Sequence, residues 1–213
     1  MSGYFISFEG VEGSGKSTQI QRLAGRIKSE ISNRDLVITR EPGGTDSAES
    51  IRQLLVTGRA DKWRPATEAM LMSASRHEHV AHVIRPAIAA GAIVLCDRFY
   101  DSTRVYQGIV GGVPEADIEA LNNLSCGDLV PHMTILLDMD VDEGLRRAGG
   151  RETAETRFES KGIDFHREVR DGFLTLARRH GDRFVVINGD QALDAVTDDI
   201  AKAVLPPLLK AIG

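Results

Sequence analysis

Cysteine is scarce in this 213-residue chain, with Cys96 and Cys126 the whole complement. Two thiols make no disulfide framework, and both read as small buried apolar residues of a protein kept in a reducing compartment. Long hydrophobic runs are missing too. The longest apolar stretch, 87–96, falls far short of the ~20 residues needed to cross a bilayer. Met1-Ser2-Gly3 leads straight into a strand-like segment, with neither a basic start nor an apolar signal core. These absences predict a cytoplasmic protein that does not engage a membrane. An excess of positive charge is also lacking. The formal net charge of −5 gives no electrostatic footprint for general binding to nucleic acid, so any bound anion must be held by a local cluster of cations. No repeat, low-complexity tract or linker divides the chain, and 42% hydrophobic with 27% charged residues is ordinary for a globular protein. One domain spanning 1–213 is expected.

Five short apolar runs read as strands: Tyr4–Glu9, Leu36–Thr39, Ala92–Asp97, Met133–Asp138 and Arg183–Asn188. Runs such as VITR, AIVLCD and TILLD lack clean alternation, which suits strands covered on both faces in a parallel sheet. Helical periodicity fills the gaps at Lys16–Ser29, Ala48–Thr57, Thr67–Ala90, Pro114–Leu124, Lys161–Arg179 and Leu193–Ile212, the last interrupted by Pro206 and Pro207. Strands alternating with helices imply right-handed crossovers and a three-layer, doubly wound α/β fold. The polar, arginine-rich segment at about 146–161 stands apart as an expected mobile lid.

The sharpest motif is Gly10-Val11-Glu12-Gly13-Ser14-Gly15-Lys16-Ser17-Thr18, a full match to G-x-x-x-x-G-K-[ST] between a strand and a helix. Such a P-loop turns backbone amides and a helix N-terminus toward nucleotide phosphates. Lys16 would neutralise the β- and γ-phosphates, and Ser17 would coordinate Mg²⁺. At the end of another strand, Asp97 can hold Mg²⁺ directly or through water, and Arg98 can grip an acceptor phosphate with its planar fork. Glu12 is badly placed for binding a polyanion. Two like charges 4 Å apart repel by about 4 kcal/mol at an effective dielectric of 20, so this carboxylate should turn away from the phosphates and accept from a sugar hydroxyl. Gly13 beside it adds no cation, which leaves Arg146, Arg147, Arg151 and Arg157 of the lid to neutralise the moving phosphoryl group and exclude water. A GTPase would need an Asn-Lys-x-Asp stretch, and the chain has none. A kinase acting on a small phosphorylated acceptor fits best. A kinase for a different nucleotide or a deoxynucleoside, and a nucleotide-sensing module without turnover, stay open as alternatives.

Together, FEGVEGSGKSTQ at the start, TREPGGT at 39–45, SRHEHV at 75–80, DRFYDSTRVYQG at 97–108 and RFE at 157–159 resemble the bacterial thymidylate kinase family across essentially the whole chain. The resemblance implies a five-stranded parallel sheet flanked by helices, a homodimer, and transfer from MgATP to dTMP. It makes Glu12 the acidic residue near the deoxyribose 3′-hydroxyl and Arg98 the acceptor-phosphate ligand. Arg76 becomes the arginine that hydrogen-bonds thymine O4, with Thr103 and Gln107 completing the base and sugar contacts. Tyr106 becomes the ring that crowds out a 2′-hydroxyl. Gly13 together with Arg151 and Arg157 implies the branch whose arginines lie in the lid. Met72 stands where the family stacks a phenylalanine on thymine, and its sulfur can cover a ring without flat stacking.

Other features read more plainly. Arg40 ends the strand LVITR, directed either to the acceptor or to Glu41. His79 and His82, three apart on one helix, read as a solvated or interface face rather than a zinc site. Trp63 reads as an anchor for the helix that follows it. Asp138 is placed either in a structural pair or near Mg²⁺.

Overall fold

The computed structural model describes residues 3–149, 157–158 and 160–212. Five parallel strands, β1 (Tyr4–Gly10), β2 (Leu36–Arg40), β3 (Ile93–Asp97), β4 (Met133–Asp138) and β5 (Phe184–Asn188), form one sheet in the order β2-β3-β1-β4-β5. Ser7 of the central β1 is in register with Cys96 on one side and Thr134 on the other. The unbroken apolar runs have the expected cause, since alternate residues of each strand enter opposite cores. Ile6 and Phe8 pack on one face against Ile20, Leu23 and Ile27 of α1 (Lys16–Glu30) and Ile200, Val204 and Leu208 of α9 (Leu193–Ile212). Phe5, Val94 and Cys96 pack on the other face with Val80, Ile84 and Phe99, and Leu136 joins a third cluster with Val105, Val169 and Phe173.

Thr45 caps α2 (Asp46–Val56) by accepting from Ala48 N at 3.1 Å, with two acidic residues in the first turn favouring the helix dipole. The single helix expected over 67–90 is three consecutive segments: α3 (Pro65–His79), a π-helical stretch Val80–Ile84, and α4 (Arg85–Ala89). Pro86 has no N–H to donate into an α ladder, and a widened turn just before it accommodates that loss. Pro206 and Pro207 do not interrupt α9. Pro206 and Lys202, whose carbonyl loses its donor, are solvent-facing, so water can replace that bond while Val204, Leu208 and Ile212 keep the helix docked.

The segment after β3 is helical, α5 (Tyr100–Thr103) running into a π stretch Arg104–Val110. Sequence reading treated it as motif alone. α6 (Glu115–Cys126), α7 (Val141–Ala148) and α8 (Ile163–Arg179) complete the helical layers. Arg146 and Arg147 belong to α7, whose N-cap is Asp140, so the expected lid begins within a helix.

Candidate active site

The carboxyl ends of β1 and β3 face a common crevice, where open α/β sheets bind ligands. β1 runs into the phosphate loop, and Gly15, at φ 87°, initiates α1 in the left-handed region open to glycine. A Cβ on Gly13 would sit 1.8 Å from the Gly144 carbonyl oxygen of α7, so the loop lies backbone to backbone on that helix. Lys16 Nζ is buried, donating to the carbonyls of Gly10 (3.1 Å) and Val11 (2.9 Å) and to Ser14 Oγ (3.3 Å). Burial, reinforced by the nearby Arg98 charge, pushes its pKa down to about 8. Ser17 Oγ donates to Asp97 Oδ2 at 2.6 Å. Among the described residues no group of three His, Cys, Asp or Glu side chains could hold a metal. The hydroxyl and carboxylate together suit a hard cation whose remaining ligands are phosphate oxygens and water.

Arg98 is the one non-glycine among the described residues with positive φ, 66°, a conformation that costs free energy and recurs at functional sites. Its turn is locked by Glu9, which is wholly buried at the end of β1. Glu9 Oε1 accepts from Phe99 N (2.9 Å) and Ser102 N (3.2 Å), and Oε2 accepts from Ser102 Oγ (2.6 Å). Burial raises the Glu9 pKa to about 7 against the lowering effect of Arg98, with Asp101 adding to the rise. Held this way, Arg98 reaches back to the phosphate loop. Its Nη2 donates to Glu12 Oε1 at 3.0 Å, and Nη1 donates to Ser102 Oγ at 3.1 Å. Burial is the largest single influence and works against ionisation of Glu12, yet Arg98, His166 and Lys16 together outweigh it and hold the carboxyl well below its ordinary range. Burial keeps the Tyr106 phenol protonated, so its hydroxyl donates to both Glu12 oxygens, at 2.8 and 2.9 Å.

These groups border an open cleft, lined further by Met72, Arg76, Thr103, Gln107 and Phe158. Arg76 is buried, its Nε bonded to Glu41 Oε2 (2.6 Å) and its Nη2 to Thr103 Oγ1 (3.0 Å), while Nη1 has no protein partner among the described residues. A buried guanidinium nitrogen left open beside a cleft is ready for a ligand acceptor. Gln107 Nε2 donates to Glu68 Oε2 at 3.0 Å.

Several expected site residues lie elsewhere. Arg40 does not line the cleft, because it is exposed and paired with Glu49 at 3.1 Å. Arg157 is wholly buried, ion-paired with Glu68 and donating to the carbonyls of Arg59, Leu55 and Ala60. Its four acceptors engage the guanidinium within the protein, on Leu55 of α2, Glu68 of α3 and the Arg59–Ala60 turn between them. Arg151 lies outside the described residues. Arg146 and Arg147 are taken up by Glu143. His79 is no solvated residue: it is fully buried between Glu41 Oε1 (3.0 Å) and Thr39 Oγ1 (2.7 Å), whereas His82 is exposed beside Glu78. Asp138 pairs with Arg170 at 2.6 Å. Trp63 is partly buried and donates from Nε1 to Leu54 O, tying it to α2.

Sequence reading missed Glu9 and Glu41, which hold Arg98 and Arg76, and Arg52 and Phe158, which line the cleft. For Glu9 and Glu41 a signal existed, an acidic residue at or just past the end of an apolar strand on the ligand side of the sheet. Arg52 and Phe158 carry no such signal.

Comparison with known proteins agrees with this geometry. The thymidylate kinase family profile matches residues 8–200. Thymidylate kinase from Caulobacter vibrioides is 54% identical over 206 residues, covering 97% of this chain and 98% of that one. The Ruegeria pomeroyi enzyme of the same name is 44% identical, covering 97% of each chain. A crystal structure of thymidylate kinase from Ehrlichia chaffeensis superposes with a TM-score of 0.77 at 32% identity, covering 96% of this chain and 100% of the other. A profile match over most of the chain and near full-length relatives at this identity, on a structure whose P-loop faces Arg98 across a cleft, show that this chain belongs to the thymidylate kinase family.

Proposed function

We infer that the chain transfers the γ-phosphoryl group of ATP to the phosphate of dTMP, giving dTDP and ADP. The observation that carries the reading is the 3.0 Å contact between Arg98 and Glu12, which joins the phosphate loop to the cleft holding Arg76. The loop amides and Lys16 hold the donor. Lys16 must exchange its loop carbonyls for phosphate oxygens, a favourable exchange for a buried ammonium. Arg98 fixes the acceptor phosphate in line with the donor. Glu12 accepts from the deoxyribose 3′-hydroxyl, Tyr106 walls off the 2′ position, and Met72, Arg76, Thr103 and Gln107 receive thymine and sugar. An acceptor phosphate oxygen forms its bond to Pγ while the bond from Pγ to the β,γ-bridging oxygen breaks, and ADP leaves with the electron pair. The acceptor is already ionised near neutral pH, so no general base is needed.

Mg²⁺ belongs to the same reading, with Ser17 and Asp97 as its protein ligands. When bound, it neutralises charge on the β- and γ-phosphates. Arg151 is the proposed lid cation. Arg157 serves better as the tie that fastens the lid segment to α2 and α3, given its buried partners. Two free, buried thiols suit a cytoplasmic location, and among the described residues no helix is long and apolar enough to cross a membrane. A homodimer completes the reading. Leu54 of α2, Met70 of α3 and Leu124 of α6 expose apolar surface on three adjacent helices.

A coupled ADP-release assay with dTMP, dUMP, dCMP, UMP and thymidine should show turnover highest with dTMP. Lys16→Ala should cut that turnover by at least about 10²-fold without altering the circular dichroism spectrum. Silence with every acceptor, or near-normal turnover by the variant, would overturn the reading.

A further inference from the structure

His166 of α8 lies directly behind Glu12. It is 1% exposed, and neither ring nitrogen has a hydrogen-bond partner among the described residues. Its Nδ1 is 3.5 Å from Glu12 Oε2, and the Phe165 ring meets it edge-on at 5.4 Å. The imidazole is therefore packed in place, with Nδ1 at the outer margin of hydrogen-bond reach of Glu12. A buried polar group without a partner is costly. One kept beside an ionised carboxylate points to a bond gained when the site rearranges.

The rearrangement follows from the proposed function, on which this inference rests. Glu12 is held in the structure by Arg98 Nη2 and the Tyr106 hydroxyl. An acceptor phosphate, carrying more charge than one carboxylate, competes for the Arg98 fork and draws Nη2 from Glu12. Tyr106 has one proton to give and already gives it. Glu12 would then lose its cation as phosphate groups arrive nearby, and its aim at the sugar would loosen. We propose that His166 is a positioning residue that takes over Glu12 at this point. Nδ1–H closes the remaining gap, donates to Oε2 and keeps the carboxylate directed at the sugar 3′-hydroxyl. His166 does not line the cleft, so it acts through Glu12 alone.

This role separates two nucleotides that differ at one atom. Equilibrium titration of the full chain with dTMP and with 3′-deoxythymidine monophosphate should show that the wild type prefers dTMP. His166→Phe keeps an aromatic ring against Phe165 but cannot donate. It should weaken dTMP about tenfold, the scale of one hydrogen bond to a charged group, and the 3′-deoxy analogue by less than about threefold. His166→Asn, whose amide nitrogen falls near the position of Nδ1, should bring dTMP binding back to within about threefold of wild type. The ratio of the two affinities on one preparation is insensitive to folded fraction, and His166→Leu can replace the Phe variant should the latter be insoluble. Equal weakening of both nucleotides, or of neither, would overturn the role of His166 while leaving the kinase reading intact. A wild type indifferent to the 3′-hydroxyl would instead overturn the Glu12 assignment, and this proposal with it.

Discussion

Single side chains carry unequal loads in this site, and the carboxylates show why. Glu9 and Glu12 stand three residues apart, yet one is pushed toward neutrality and the other held ionised. Glu12 has the full Arg98 contact at 3.0 Å, whereas Glu9 is fully enclosed and sees Arg98 at 3.9 Å with Asp101 nearby. An unfolded chain ionises Glu9 near 4.5 and the folded chain near 7. Between those values the native state holds the extra proton, so raising pH through the window removes stability. Urea denaturation from about pH 5 to about pH 7.5 should show wild type losing stability relative to Glu9→Gln, which mimics the protonated form at every pH. Parallel pH profiles would mean that Glu9 is ionised throughout.

Between elements, the decisive contact is the phosphate loop on α7. A Cβ at Gly144 would meet the Glu12 carbonyl oxygen at 2.6 Å, an approach that a backbone atom relieves only by moving. Glycine inside a helix costs about 1 kcal/mol against alanine, so Gly144→Ala judged by helix propensity alone would stabilise. Here it should displace the loop instead, weakening ATP binding about tenfold with no gain in melting temperature. Unchanged ATP affinity together with a higher melting temperature would show that the loop does not depend on this contact. The π stretch Arg104–Val110 acts at the same scale. It carries Tyr106 and Gln107 to the cleft and packs against α8, linking that wall of the cleft to the helix that bears His166.

For the molecule as a whole, the sheet order puts the phosphate loop, Asp97-Arg98 and the Thr39–Gly44 turn at adjacent strand ends. α3 packs against both α2 and α6, and Leu124 of α6, 78% exposed, and Met70 of α3 present apolar surface on that set. Specific interfaces bury about 800 Å² per partner, and large exposed apolar side chains on adjoining helices suit that use. Sedimentation equilibrium should give twice the mass of one chain, and Leu124→Glu should shift the population toward the single chain. A wild-type monomer across micromolar concentrations would refute the dimer.

Strands and phosphate loop were legible because their signals are local. An apolar run covered on both faces reads the same in sequence as in space, and the glycine spacing around Lys16 is a backbone requirement. Asp97-Arg98 was legible as well, since strand ends on the ligand side are set by topology. What the sequence could not determine was which charges meet. Arg40, Arg76, Arg98 and Arg157 are chemically alike on paper, but packing sends the first to solvent, buries the second with one nitrogen open, strains the third against Glu12 and locks the fourth onto Glu68. His79 and His166 likewise gain opposite characters, one held by two hydrogen bonds and the other left at 3.5 Å from a single carboxylate among the described residues. A guanidinium or imidazole has the same intrinsic chemistry at every position, and its function is decided by desolvation and by the acceptors that distant segments bring within about 3 Å. That proximity exists in the tertiary structure and has no counterpart along the chain.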